Sequence, residues 1–107
     1  MTAMIELVQD GNVTSTKGFS AGATYAGIKT AGDEDALDLG ILLSDVSSNV
    51  AATFTTNKVV SPSVVLSKQR VQKGTARAVV VNSGCANCSV GEQGLLDAEE
   101  MTALAAS

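Results

Sequence analysis

The sequence predicts an α/β (α+β) domain, and three features point that way. Leu37, Leu39, Ile41 and Leu43 alternate with Asp38, Gly40 and Leu42, the period of a strand with one buried face. The β-branched run Ala78-Val79-Val80-Val81 stops in the small, turn-forming residues Asn82-Ser83-Gly84-Cys85-Ala86-Asn87-Cys88-Ser89-Val90-Gly91, as a strand delivering a tight loop does. Beyond that loop Leu95, Ala98, Met101 or Thr102, and Ala105 fall on one helical stripe, which Leu104 widens.

The 107 residues suffice for one small domain with one core, a size at which roughly 65% of the unfolded chain's surface is buried on folding. Apolar residues make up 45% of the chain but aromatics only 3%, so that core is expected to consist of Val, Leu, Ile and Ala. Small side chains of this kind suit closely packed layers of sheet and helix.

The remaining elements follow in chain order. Met4-Ile5-Glu6-Leu7-Val8 is compatible with a short strand, turned at Asp10-Gly11-Asn12. Lys17 to Lys29 spreads three glycines over small residues, which predicts an irregular strand ending near Lys29. Ala31-Gly32-Asp33-Glu34-Asp35 is an acidic turn, a solvated loop unless further ligands converge on it to hold a metal. The alternating strand from Leu37 is expected to stop at Ser44-Asp45. The short polar link Asp45-Val46-Ser47-Ser48 would then turn it into an antiparallel partner over Asn49 to Thr56.

Pro62 cannot donate to a ladder, so Val59 to Leu66 is read as a turn leading into a short strand, Ser63-Val64-Val65-Leu66. Ser67 is then a cap for a single helical turn through Val71-Gln72, closed by Gly74. For the last helix, Ser89-Val90-Gly91-Glu92 has capping-box spacing. Asp97, Glu99 and Glu100 are read as early residues favoured by the helix dipole. No Gly, Asn or basic last turn stops this helix before Ser107, which leads to the expectation that the chain is part of something longer.

Composition also narrows the function. Net charge is −4 and no Lys/Arg cluster is present, which argues against nucleic acid as a partner. Met1-Thr2-Ala3-Met4-Ile5-Glu6 lacks the basic start and apolar block of a signal peptide. No apolar run is long enough to span a bilayer, so no membrane partner and a cytoplasmic location are expected. There is no histidine, which removes Ser-His-Asp and Cys-His devices and His-ligated metals from these residues.

Few side chains here point to chemistry. Cys85 and Cys88 form a C-x-x-C pair: a redox dithiol, half of a zinc site lacking its other ligands, or two small thiols filling space beside a glycine turn. Thr55 and Thr56 could act as nucleophiles, but no neighbouring base can be named for them, and they are taken as structural. Lys17 and Lys29 flank the glycine-rich segment and could meet an anion, although that segment lacks the order of a P-loop.

Several separated blocks, taken together, resemble one known family. They are Val13-Thr14-Ser15-Thr16-Lys17-Gly18-Phe19, Ala26-Gly27-Ile28-Lys29, Asp38-Leu39-Gly40-Ile41-Leu42-Leu43-Ser44-Asp45, Phe54-Thr55-Thr56-Asn57-Lys58-Val59 and Val81-Asn82-Ser83-Gly84-Cys85-Ala86-Asn87, then Gly91-Glu92-Gln93-Gly94 and Asp97-Ala98. In this order they are similar to the beginning of the arginine-biosynthesis ornithine acetyltransferases, the bifunctional glutamate N-acetyltransferase/amino-acid acetyltransferases. The family's usual loop reads N-S-G-N-A-N, so Cys85 stands in place of an asparagine.

The resemblance implies a precursor that cleaves itself before a threonine into an α and a β chain, assembled as a heterotetramer of two of each. The new N-terminal threonine would take acetyl from N-acetylornithine and pass it to glutamate, without a cofactor. It implies that residues 1–107 are the N-terminal portion of the α chain, a single incomplete domain within a DmpA/ArgJ-like (Ntn-like) αββα layered sandwich.

The family's nucleophile, its Thr-Gly oxyanion pair and its substrate-contacting lysine and threonines all lie further along. No catalytic, substrate-binding or metal residue is therefore carried onto this chain, which is expected to be inactive by itself. The loop from Asn82 to Asn87 is expected to line the interior near the active site. A small autonomous α/β binding or thiol-redox module using Cys85 and Cys88, and a purely structural domain, are the competing expectations.

Overall fold

A computed structural model describes residues 4–107. Among these residues three strands and two helices follow one another: β1 (Phe19–Thr24), β2 (Leu39–Asn49), α1 (Pro62–Val71), β3 (Thr75–Asn82) and α2 (Gly91–Ala106). The strands form one antiparallel sheet in the order β1-β2-β3. Helix α1 packs against β3, and α2 packs against α1. The α+β class expected from the sequence is therefore present, as one sheet with one layer of helices.

Register shows how the alternation is used. Thr24, Leu39 and Asn82 are paired across the sheet, as are Gly22, Ile41 and Val80, so these side chains share a face. Leu39, Ile41, Val80 and Asn82 are half-buried there. The opposite face carries Phe19, Ala21, Ala23, Leu42, Val79 and Val81, and Val79 and Val81 are each 55% exposed. That face is apolar and open.

The core expected to consist of Val, Leu, Ile and Ala is small in this chain taken alone. Leu66, 5% exposed, and the ring of Pro62 are the apolar side chains buried among the described residues. The radius of gyration is 16.2 Å, against about 13 Å for a compact domain of this length. A single sheet covered on one side cannot bury both sets of its alternating side chains.

Several element boundaries also differ. Residues 4–8 form no strand; the turn after them is closed by the Gly11 N–H donating to the Val8 carbonyl. The residues before them, 1–3, belong to the N-terminal reading but lie outside the described residues. β1 ends at Thr24, not near Lys29, because Gly27 takes a positive φ of 75° that no strand continues through.

β2 does not stop at Ser44-Asp45 but runs on to Asn49, and Asn49 to Thr56 is no hairpin partner. Leu43 pairs with Ala78 and Ser48 with Ala76, so the polar link is a bulge inside β2 rather than a turn. Arg77 stabilises it by donating from Nη2 to the carbonyls of Ser44 (3.2 Å) and Asp45 (3.1 Å). The buried Ser44 hydroxyl meets that of Ser48 at 2.8 Å.

The segment read as a short strand, Ser63 to Leu66, lies inside α1. Ser61 has extended dihedrals and Pro62 is the first helical residue, where its missing N–H costs nothing and its fixed φ suits the helix. Pro62 and Leu66, one turn apart, are the buried residues of α1, and Gly74 (φ 73°) follows its end as expected.

The capping box before α2 does not form. Ser89 has φ 56°, Val90 occupies the N-cap position, and no side chain caps the helix. Only Glu92 lies in the first turn; Asp97 accepts a 2.8 Å bond from Gln93 Nε2 one turn earlier. The stripe is half-buried at Leu95, Ala98, Met101 and Thr102, whereas Ala105 and Leu104 are exposed.

Candidate functional site

The three strands end together at one edge of the sheet, where Thr24, Leu39 and Asn82 are aligned, and Asp38 sits at that edge. Its backbone extends the ladder in both directions. The Asp38 N–H donates to the Thr24 carbonyl at 3.1 Å, and the Asp38 carbonyl accepts from Ser83 N–H at 2.8 Å. Its side chain, 3% exposed for the residue as a whole, accepts three backbone N–H bonds from the turn after β1. Ala26 donates to Oδ1 at 2.7 Å, and Ile28 and Lys29 donate to Oδ2 at 2.6 and 2.9 Å.

This turn supports the loop after β3. A Cβ built on Gly84 would lie 2.5 Å from Lys29 Cα and 2.7 Å from Lys29 Cβ, so Gly84 lies directly on the Lys29 backbone. Within the loop, Asn87 Nδ2 donates to Asn82 Oδ1 at 3.3 Å, and both asparagines are half-buried. Beside it, Gly32 N–H donates to the Tyr25 hydroxyl at 2.8 Å, drawing the acidic turn toward β1. The arrangement is two loops tied to one aspartate at one end of the sheet, the turn after β1 by its carboxylate and the loop after β3 by its backbone carbonyl. Its exposed surface is made of the small residues Ser83 to Ala86 and Cys88, beside the half-buried amide pair.

The N–H of Lys29 is the largest influence on the Asp38 carboxyl and lowers its pKa. Burial opposes this, and the N–H groups of Ala26, Ile28 and Asp38 itself lower it further. A carboxyl whose folded pKa lies below its unfolded value stabilises the fold fully above the unfolded value, about 3.9, and loses that contribution as pH falls through the folded one. The melting-temperature gap between the protein and its Asp38→Asn variant is therefore expected to narrow from neutral pH toward about pH 2. A gap independent of pH would show that the carboxylate charge is not what the three N–H groups hold.

The sequence-based candidates are distributed unevenly. Lys29 and the Asn82 to Asn87 loop are brought together, through the lysine's backbone. Lys17 precedes the opposite end of β1. Cys85 and Cys88 are both free and exposed on the loop. Thr55 and Thr56 lie in an irregular segment, beside Lys68 of α1, in a groove also lined by Phe54 and Gln72. Among the described residues no three His, Cys, Asp or Glu side chains gather as a metal site, the acidic turn included. No helix among the described residues is long and apolar enough to cross a membrane.

Comparison with known proteins matches this frame. The sequence pattern of the ArgJ family covers residues 20–107. The chain belongs to the ArgJ family. The arginine biosynthesis bifunctional protein ArgJ of Dehalococcoides mccartyi (strain CBDB1) is 48% identical over 101 residues, 94% of this chain and 25% of that protein. That of Staphylococcus epidermidis RP62A is 46% identical over 98 residues, 91% of this chain and 24% of its own length. The chain thus spans about a quarter of the length of these ArgJ relatives.

The crystal structure of ArgJ from Bacillus halodurans superposes with a TM-score of 0.84 at 37% identity, covering 92% of this chain and 50% of that one. The ornithine acetyltransferase of Mycobacterium tuberculosis, complexed with ornithine, gives 0.76 at 36% identity over 87% of this chain and 47% of that one. The α+β fold expected from the resemblance is the fold of these ArgJ structures.

By sequence pattern alone Asp38 falls on the polar side of a strand, with nothing to set it apart. A buried aspartate followed by an apolar alternation looks the same in sequence as a solvated one. The available signal was Ala26-Gly27-Ile28-Lys29, a glycine turn whose N–H groups have no ladder to join and so need an acceptor.

Proposed function

We propose that residues 1–107 are the N-terminal portion of the α chain of an ornithine acetyltransferase, a single incomplete domain without catalytic residues of its own. The observation that carries this reading is the match to the ornithine-bound acetyltransferase of M. tuberculosis, at 36% identity and a TM-score of 0.76 over 87% of the chain. The open apolar face bearing Phe19, Val79 and Val81 supports it, since such a face is stable once a second sheet covers it.

In this reading a threonine further along becomes a chain terminus by self-cleavage. The α-amino group of that threonine serves as its base. Its Oγ attacks the acetyl carbonyl of N-acetylornithine, its proton passes to the base, and the ornithine amine departs protonated. The glutamate amine then attacks the acetyl ester, and the hydroxyl returns. Backbone and side-chain donors stabilise the oxyanion in each half. The β chain is the partner, in a heterotetramer of two α and two β chains, and the present segment holds the sheet edge and its loops in place.

The whole protein is expected to form N-acetylglutamate and ornithine from N-acetylornithine and glutamate. Asn82→Ala or Asn87→Ala, by breaking the amide pair of the loop, should lower that rate by about threefold to tenfold. A whole protein that cleaves and folds but transfers no acetyl would remove the proposal. Unchanged transfer and stability in both variants would remove the loop from the active-site wall.

A further inference from the structure

We propose that Asp38 is a positioning residue: its carboxylate fixes the turn Ala26–Lys29 beneath Gly84 and, through that contact, sets the place of the Asn82–Asn87 loop. Four observations support it. The carboxylate is buried and accepts three backbone N–H bonds of 2.6 to 2.9 Å from one turn. That turn belongs to no strand or helix, so these bonds are its attachment to the sheet. Gly84 rests on Lys29 too closely for a methyl group to intervene. The Asp38 carbonyl also takes the Ser83 N–H at 2.8 Å, tying the first loop residue after β3 to the same point.

The loop has little else to hold it. Ser83 through Ala86 and Cys88 are exposed, and the Asn87–Asn82 bond is internal to the loop. Its position is inherited from the surface under it. Asparagine at position 38 keeps the size of the side chain but replaces one acceptor with an NH2 donor, which faces N–H groups that need an acceptor. The turn then loses at least one attachment while the fold keeps its packing.

Amide hydrogen exchange of the whole protein tests this directly. In Asp38→Asn, the amides of Ala26, Ile28, Lys29 and Ser83 are expected to exchange about tenfold faster, with the ladder amides of β1, β2 and β3 unchanged. Coupling of two loops is reciprocal, so Gly84→Ala should speed exchange at Ile28 and Lys29 although Asp38 is intact. Release of Ala26–Lys29 with Ser83 at its original rate would overturn the proposal. So would a Gly84→Ala protein whose Ile28 and Lys29 amides are unmoved. If Asp38→Asn speeds every amide through loss of the fold, the Gly84→Ala result decides.

A second arm rests on the acetyl-transfer reading above. If the loop borders the reacting groups, Asp38→Asn should lower kcat roughly tenfold and leave KM within about threefold, since geometry rather than uniform binding is lost. An unmodified protein that makes no N-acetylglutamate sinks that reading and leaves the exchange arm to judge Asp38. Unchanged kcat in an active protein whose loop amides are released separates Asp38 from catalysis and overturns this arm.

Discussion

Replacing Gly84 with alanine is expected to destabilise the whole protein by roughly 2–4 kcal/mol. Two costs combine. Gly84 has φ +94°, a conformation that L side chains rarely adopt, and strain of that kind costs on the order of 1 kcal/mol or more. The new Cβ would also lie 2.5 Å from Lys29 Cα and 3.0 Å from Lys29 N. Those are backbone atoms of a turn pinned by the Asp38 carboxylate, so they cannot yield as a side-chain tip would.

Gly74 separates the two costs. Its φ is +73° but, apart from its chain neighbours, no atom of the described residues lies within 4 Å of where its Cβ would be, so Gly74→Ala should show the conformational cost alone, about 1 kcal/mol. Urea unfolding of both variants reads the difference. Equal losses would mean that Gly84 does not rest on Lys29.

The elements legible in the sequence were those where one signal acted alone. The β-branched run at Val79 to Val81 and the stripe through Leu95, Ala98 and Met101 both gave the right kind of element in the right place. Where two signals competed, the weaker-looking one prevailed. Val64 and Val65 favour a strand, but Ser61-Pro62 is a helix start, and α1 begins there. Ser44 to Ser48 has the polarity of a hairpin turn. Pairing with β3 carries β2 through it as a bulge, with Arg77 satisfying carbonyls that a turn would have satisfied internally.

The site was legible as a loop and illegible as a unit. Asn82 to Asn87 announces itself by composition, and Lys29 by its glycine neighbours, but their meeting depends on β1 and β3 both pairing with β2 so that their ends coincide. Asp38, which joins them, is separated from Lys29 by an acidic turn of three carboxylates that look equally suited to solvent. Burial alone distinguishes Asp38 from Asp33, Glu34 and Asp35, and burial is a tertiary property.

Gly94→Ala is the second substitution expected to matter, and its sign rests on a contest between two effects. Alanine in place of glycine inside a helix is worth about 1 kcal/mol in favour of α2. Against this, the added Cβ would overlap Val90 Cγ2 and come within 3.0 Å of both Val90 Cβ and Pro62 Cγ. Rotation of Val90, 44% exposed, can move its Cγ2 aside but leaves its Cβ where it is. Pro62 is a buried ring at the first position of α1 with no rotamer to change. Overpacking of this kind costs about 1–3 kcal/mol, so the net effect is a loss of up to roughly 2 kcal/mol in thermal or urea unfolding. Val90→Ala apportions it: relief of most of the loss in the double variant places the clash within α2, and persistence places it between the helices. A Gly94→Ala protein more stable than the original would mean that propensity outweighs crowding, and that α2 does not approach Pro62 as closely as the structure has it.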